Sequence, residues 1–145
     1  MLDKIKSRLE WLRTKAPDAI GAMLCLEALE GDAEERSFWL QCQTQTWMRN
    51  MHGTLHGGIC ATIADQAMGS VGICYAPGEG ITPTIDLHVN YHRPLIPGEG
   101  VRIHVRVVSV TKTLIHTTSE LYRESQPDKV CITAGATYFY KPTAG

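Results

Sequence analysis

An α+β fold is the class this sequence predicts: an antiparallel sheet wrapped around one long central helix, with a further helix at the N-terminus. Three observations predict it. The single long apolar stretch of helical character lies mid-chain at residues 57–75, GGICATIADQAMGSVGICY, and Pro77 and Gly78 supply its stop signal. Two strand-like runs precede that stretch and four follow it, with no βαβ alternation that would require a parallel sheet. A helix that is apolar over more than half its circumference needs burial on most sides, and a sheet curled around it satisfies both elements.

Each element has its own local reason. Leu2, Ile5, Leu9 and Leu12 recur at helical spacing among Lys4, Lys6, Arg8, Arg13 and Lys15 until Pro17 interrupts them, which predicts an amphipathic helix over residues 1–16 laid on the body of the domain. Its acidic members, Asp3 and Glu10, argue against a lipid-surface role. GAMLCLEALEG (residues 21–31) and RSFWLQCQTQTW (residues 36–47) predict two strands of a hairpin, joined by a polar turn around Gly31, Asp32 and Ala33. In the second, Phe38, Leu40 and Cys42 alternate with Trp39, Gln41 and Gln43, the pattern of a sheet with two different faces.

On the central helix, steps of about 100° place Ile59, Cys60, Ile63, Ala64, Ala67, Met68 and Val71 on one broad arc, with Thr62 and Gln66 opposite. Asp65 falls at the edge between these arcs, beside Ala61, Gly69 and Gly72, whose small side chains admit close packing. The later runs, residues 84–92, 101–110, 114–123 and 129–141, are separated by turns short enough for an antiparallel meander. Trp11, Trp39 and Trp47 are expected to be packing residues.

Composition narrows the function. The 14 Lys and Arg against 15 Asp and Glu leave a net charge of −1, which gives no electrostatic basis for nucleic-acid binding. With 43% hydrophobic residues the 145-residue chain is expected to fold as a single domain over residues 1–145. Cys25, Cys42, Cys60, Cys74 and Cys131 are widely spaced, odd in number and contain no CxxC pair, as expected of reduced thiols in the cytoplasm. No apolar run approaches signal-peptide or membrane-span length, so no membrane association is expected. His88 and His92 share a strand face and His52 and His56 are four apart, but neither pair has a third ligand at standard spacing, so no metal is expected.

The stretch that carries chemistry runs from Asn50 to Gly72, NMHGTLHGGICATIADQAMGSVG. His56, Gly57 and Gly58 stand where the long helix begins, so the first backbone N–H groups lack intrahelical partners and carry the positive end of the dipole. Glycines allow a ligand close to those donors, which suits an anion or a developing oxyanion; equally, they permit a tight turn into the helix. Asp65 is a carboxylate in an apolar helix, costly unless it is paired or needed, and is a candidate general base or nucleophile. It lies eight residues beyond Gly57, roughly 12 Å along the axis, so one carbonyl cannot touch both groups. A single reacting centre served by both therefore implies two subunits.

Asn50, Gly53, Thr54, Leu55, His56, Gly57, Gly58 and Asp65, at this spacing, resemble the hotdog-fold acyl-CoA thioesterases, in particular the phenylacetate-pathway (PaaI-like) and thioesterase-superfamily-member-2 branch. The order of elements agrees from about Ile20 to Lys141. The resemblance implies that Gly57 N–H polarises the thioester carbonyl while Asp65 of the opposite subunit activates water or attacks directly. It also implies that Asn50 helps hold the carbonyl and that a hydroxyl on the strand after the helix assists the carboxylate, for which Thr84 is the match. His56, Gly58 and Arg93 are assigned to substrate binding, with Arg93, Arg102, Arg106 and Lys112 as candidates for the coenzyme A phosphates. Asp rather than Glu at position 65 separates the chain from the hydroxynaphthoyl-CoA branch.

The expected function is hydrolysis of an acyl-CoA thioester to acid and free coenzyme A by a cytoplasmic homo-oligomer, a dimer or a tetramer, without a cofactor other than the substrate's own coenzyme A. A non-catalytic acyl-CoA-binding module and an enoyl-thioester hydratase are the alternatives on the same fold.

Overall fold

The first apolar stripe forms helix α1 (Leu2–Lys15), which buries Ile5 and Leu9. Lys4 Nζ donates to the Cys74 carbonyl at 2.7 Å and Arg13 Nη1 to the Leu26 carbonyl at 2.9 Å, so its basic residues tie the helix to the body. The computed structural model describes residues 1–143; the last two positions of the expected domain lie outside the described residues.

Ile20–Met23 is a short helix, α2, rather than the start of a strand. The chain must reverse after Pro17 to bring Leu24 and Leu26 into the core, which an extended segment cannot do; Cys25, at φ 50°, completes the reversal. Strands β1 (Glu27–Asp32) and β2 (Ser37–Gln43) then pair as the expected hairpin, with Phe38, Leu40 and Cys42 buried. The second strand ends before its predicted limit, because Thr44 leaves the sheet to donate its hydroxyl to the Glu99 carbonyl at 2.7 Å and Thr46–Met48 forms a 3-10 turn. Trp47 is consequently 65% exposed and does not pack. Trp11, 49% exposed, carries the Arg8 guanidinium over its ring, and Trp39 stacks on His104 with centroids 4.5 Å apart.

The central helix α3 (Gly57–Ile73) buries Cys60, Ile63, Ala64, Ala67, Met68 and Val71 as the wheel predicts, and also Ser70 and Gly72. It packs against β2, β4, β5, β6 and β7, which requires the sheet to curve around it. After the two-residue β3 (Gly80–Ile81), strands β4 (Thr84–Tyr91), β5 (Gly100–Val110), β6 (Leu114–Arg123) and β7 (Val130–Phe139) follow, and a short β8 (Lys141–Pro142) pairs with β3.

The main sheet has the order β1-β2-β5-β6-β7-β4 and its pairs are antiparallel, so the four later strands are not a simple meander. Strand β4 pairs with β7 at the far edge, and the chain crosses the start of α3 to reach β5, where the Leu55 N–H donates to the Leu95 carbonyl at 2.9 Å. This order leaves one edge of β4 unpaired along eight residues.

Candidate active site

The start of α3 is organised by two side chains. His56 is the N-cap and its Nδ1 accepts the Gly58 N–H at 2.9 Å. The Gly58 N–H is therefore occupied and is not a free donor to a ligand. Asn50 folds the preceding turn: its Oδ1 accepts from the His52 and Thr54 N–H groups at 2.9 and 3.2 Å, and its Nδ2 donates to Thr54 Oγ1 at 2.8 Å. Gly53, at φ 85°, takes the left-handed position of that turn. One amide N–H of Asn50 is left for a further acceptor.

Among the described residues no protein acceptor takes the Gly57 N–H, the first of the helix. The Gly57 carbonyl accepts from the Tyr91 hydroxyl. A cavity of about 340 Å³ opens here, lined by Asn50, Thr54, Gly57, Tyr91, Arg93 and Leu95 among others. Arg93 is held at its rim by donating Nη1 to the Val130 carbonyl at 2.7 Å.

Asp65 lies two turns further along, half-buried. Its Oδ1 accepts from Thr84 Oγ1 at 3.0 Å and from the Tyr138 hydroxyl at 2.9 Å; the same hydroxyl lies 2.8 Å from the Asp65 carbonyl. Thr84 and Tyr138 are a direct cross-strand pair of β4 and β7, next to a register shift between Thr84 and Asp86, so one position in the sheet aims two hydroxyls at one oxygen. Tyr138 is 2% exposed, and burial first, then the neighbouring carboxylate, push its phenol well above the ordinary range, so it stays a proton donor. Gly69, one turn past Asp65, makes room for this ring: a Cβ there would stand 3.3 Å from Tyr138 Cε1. The Asp65 Oδ2 has no hydrogen-bond partner among the described residues. A second cavity, of about 320 Å³, is lined by Arg8, Asp65, Gln66, Ser70, Thr84 and Tyr138 among others.

The chain thus brings Asn50, Gly57 and Arg93 to a cavity at one end of α3 and Asp65 with Thr84 to another at its middle, while His56 and Gly58 stand at the helix start without lining either. Arg102 and Arg106 alternate on β5 with the buried Val101, Ile103 and Val105, and Lys112 sits in the β5–β6 turn; none of the three lines the cavity that holds Arg93. Sequence reasoning missed Tyr138, Tyr91 and Arg8. Tyr138 follows Ala134 and Ala136 on the inward face of β7 and reads as core; the overlooked signal is a phenol on a buried face with a glycine one helical turn past the only acid of α3. Among the described residues no group of three or more His, Cys, Asp or Glu side chains could hold a metal ion, and no helix is long and apolar enough to cross a membrane.

A family model described as the thioesterase superfamily matches residues 52–130, more than half of the chain. The chain belongs to this superfamily. The matched region contains the His56-Gly57-Gly58 turn, Asp65 and Thr84. Acyl-coenzyme A thioesterase 13 of Homo sapiens is 34% identical over 73 residues, 50% of this chain and 51% of the relative. The chain thus aligns with about half the length of the curated relatives it matches. The PaaI protein of the phenylacetic acid degradation operon of E. coli superposes with a TM-score of 0.78 at 16% identity, covering 99% of each chain. Zebra fish thioesterase superfamily member 2 superposes with a TM-score of 0.77 at 22% identity, covering 97% of this chain and 99% of the other. At these identities the superpositions establish the fold, the hotdog arrangement of a sheet around one helix that the sequence motif implied.

Proposed function

We propose that this member of the thioesterase superfamily hydrolyses acyl-CoA thioesters at sites shared between two copies of the chain, Gly57 N–H coming from one copy and Asp65 from the other. The observation that carries the reading is a free helix-start N–H and a carboxylate fixed by two hydroxyls, about 12 Å apart on one helix. Thioester hydrolysis needs one donor where negative charge develops and one base for water, and a two-fold partner supplies each helix start with the other's carboxylate. The unpaired edge of β4, with Ile85 and Tyr91 exposed, is the surface on which a second copy would sit.

The chemistry follows from which atoms are left free. Thr84 and Tyr138 occupy Oδ1, so Oδ2 takes the proton of a water that adds to the carbonyl carbon, while the Gly57 N–H and the remaining Asn50 N–H bind the oxyanion. Collapse of the oxyanion breaks the C–S bond, and the thiolate of coenzyme A leaves and takes up a proton. Direct attack by Asp65 would expel the coenzyme A thiolate as an acyl-aspartyl anhydride forms, and water would then cleave the anhydride to the same acid and the free Asp65 carboxylate. His56 and Gly58 border the substrate and Arg93 meets a coenzyme A phosphate; no further cofactor enters the reaction. The curated relatives named acyl-coenzyme A thioesterase 13 support the choice of coenzyme A thioesters, and the free cysteines suit a cytoplasmic setting.

The test is thiol release from short, medium, long and aromatic acyl-CoAs by wild type and Asp65→Asn. Wild type should release thiol, and the variant should be slower by about 10²-fold or more while remaining folded. Equal turnover by the two proteins would remove Asp65 from the mechanism. Tight acyl-CoA binding without thiol release would make the chain a binding module, and hydration of an enoyl thioester without thiol release would make it a hydratase.

A further inference from the structure

We infer that Arg8 of the N-terminal helix is a specificity residue of the Asp65 cavity, selecting acyl groups that end in a carboxylate. The inference rests on the thioesterase reading for the other end of the substrate, and on four observations for this end.

First, Arg8 reaches from α1 into the wall of the cavity that Asp65 lines. Second, its Nε is buried without a hydrogen-bond partner, and among the described residues none of its N–H groups meets a protein acceptor. Lys4 and Arg13 on the same helix each donate to a backbone carbonyl, whereas Arg8, partly buried, donates to none. Third, the guanidinium is held 4.4 Å from the centroid of the Trp11 ring, which restricts its plane and leaves its donor edges for something else. Fourth, among the described residues Arg8 is the only cationic side chain that lines the cavity: Gln66 Nε2 donates to Ser70 Oγ at 3.2 Å, Asp65 Oδ1 holds Thr84 and Tyr138, and Asp65 Oδ2 is kept for the water of hydrolysis.

A partly desolvated guanidinium with five donors and no acceptor is costly, and burial lowers the Arg8 pKa accordingly. A carboxylate accepts two parallel N–H bonds from that fork, which neither a methyl group nor a single hydroxyl can do. Ser70 lies five residues past Asp65, roughly 7.5 Å along the helix. A short chain attached at the reacting carbonyl can therefore place its far end toward Arg8. A methyl-ended chain would cover the guanidinium and leave its charge unpaired, so the cavity selects against it as well as for the anion.

The experiment compares adipyl-CoA with hexanoyl-CoA, equal in carbon count and different at the far end, on the full chain as wild type and as Arg8→Met and Arg8→Lys. Wild type should favour adipyl-CoA in kcat/KM by about tenfold or more. Arg8→Met should bring the ratio to one or below, and Arg8→Lys should fall between. Binding of both thioesters to Asp65→Asn, with and without Arg8→Met, reads the same selectivity by calorimetry without turnover. An unchanged ratio in Arg8→Met overturns the inference, as does 6-hydroxyhexanoyl-CoA matching adipyl-CoA. Dissociation of an oligomer by Arg8→Met also overturns it, since the acceptor would then belong to a second copy. Hydrolysis of both thioesters at equal rates defeats the Arg8 assignment alone. Selective binding with no hydrolysis of either defeats the thioesterase reading alone.

Discussion

Replacing Gly57 by proline removes one N–H from the start of α3 and changes little else. Gly57 is the first helical residue, where the proline φ is already suitable and the N–H has no intrahelical partner to lose. His56, at φ −59° and ψ 135°, already has the extended backbone that the residue before a proline adopts. A Cβ at position 57 meets the Tyr91 hydroxyl at 3.5 Å, ordinary van der Waals contact. The fold should therefore survive, with Tm within about 2 °C of wild type at matched protein concentration.

Turnover should not survive. Loss of one preorganised oxyanion donor costs about 10²–10³ in kcat, or about 2.7–4 kcal/mol. Gly57→Ala adds the Cβ and keeps the N–H, so thiol release by Gly57→Pro should be slower than by Gly57→Ala by at least about 30-fold. Refolding a mixture of Gly57→Pro and Asp65→Asn gives a second readout. About half of randomly formed dimers are mixed, and each mixed dimer has one site with both lesions and one with neither, so about a quarter of wild-type activity should return. Gly57→Pro within threefold of Gly57→Ala, with the fold intact, would refute the oxyanion assignment. A mixture with no recovered activity would refute the shared site.

Other perturbations test the surrounding structure. Tyr138→Phe deletes a buried hydroxyl bonded to a carboxylate without opening a cavity, and should cost about 1.5 kcal/mol, or about 3–6 °C in Tm, together with a fall in kcat of about tenfold as Asp65 keeps only Thr84; an unchanged melt and kcat would deny the positioning role. The Tyr138 phenol titrates higher in the folded chain than unfolded, so the stability it confers is present below about pH 10 and is lost as pH rises past that value. The alkaline decline of Tyr138→Phe should accordingly be shallower in pH-dependent melts. Burial pushes the Cys42 and Cys60 thiols up to about 11, so at pH 8 a disulfide reagent should modify exposed Cys25 rapidly and the four buried cysteines only on unfolding. Reaction of Cys42 or Cys60 as fast as Cys25 would contradict this packing.

Local pattern alone determined the fold class, the first helix, the start of the central helix at Gly57 and the arc that faces its core, because helix and strand periods and turn residues act over a few positions. It also determined that Gly57 and Asp65 cannot serve one carbonyl within one chain, since helical rise depends on residue count alone. The resemblance of the motif put Thr84 beside the carboxylate, and the tertiary structure brings Thr84 Oγ1 to 3.0 Å from Asp65 Oδ1. Strand order was not legible: β4 lies next to β7 because α3 must be covered along its length, a demand no segment of β4 expresses by itself. The reversal at Ile20–Met23 was hidden for the same reason, its apolar residues fitting a strand until the path back to β1 is taken into account. Tyr138 and Arg8 gained their places only in three dimensions. One looks like core on an alternating strand and the other like solvated charge on an amphipathic helix, and each owes its setting to a partner 73 residues away or a cavity wall built by other elements.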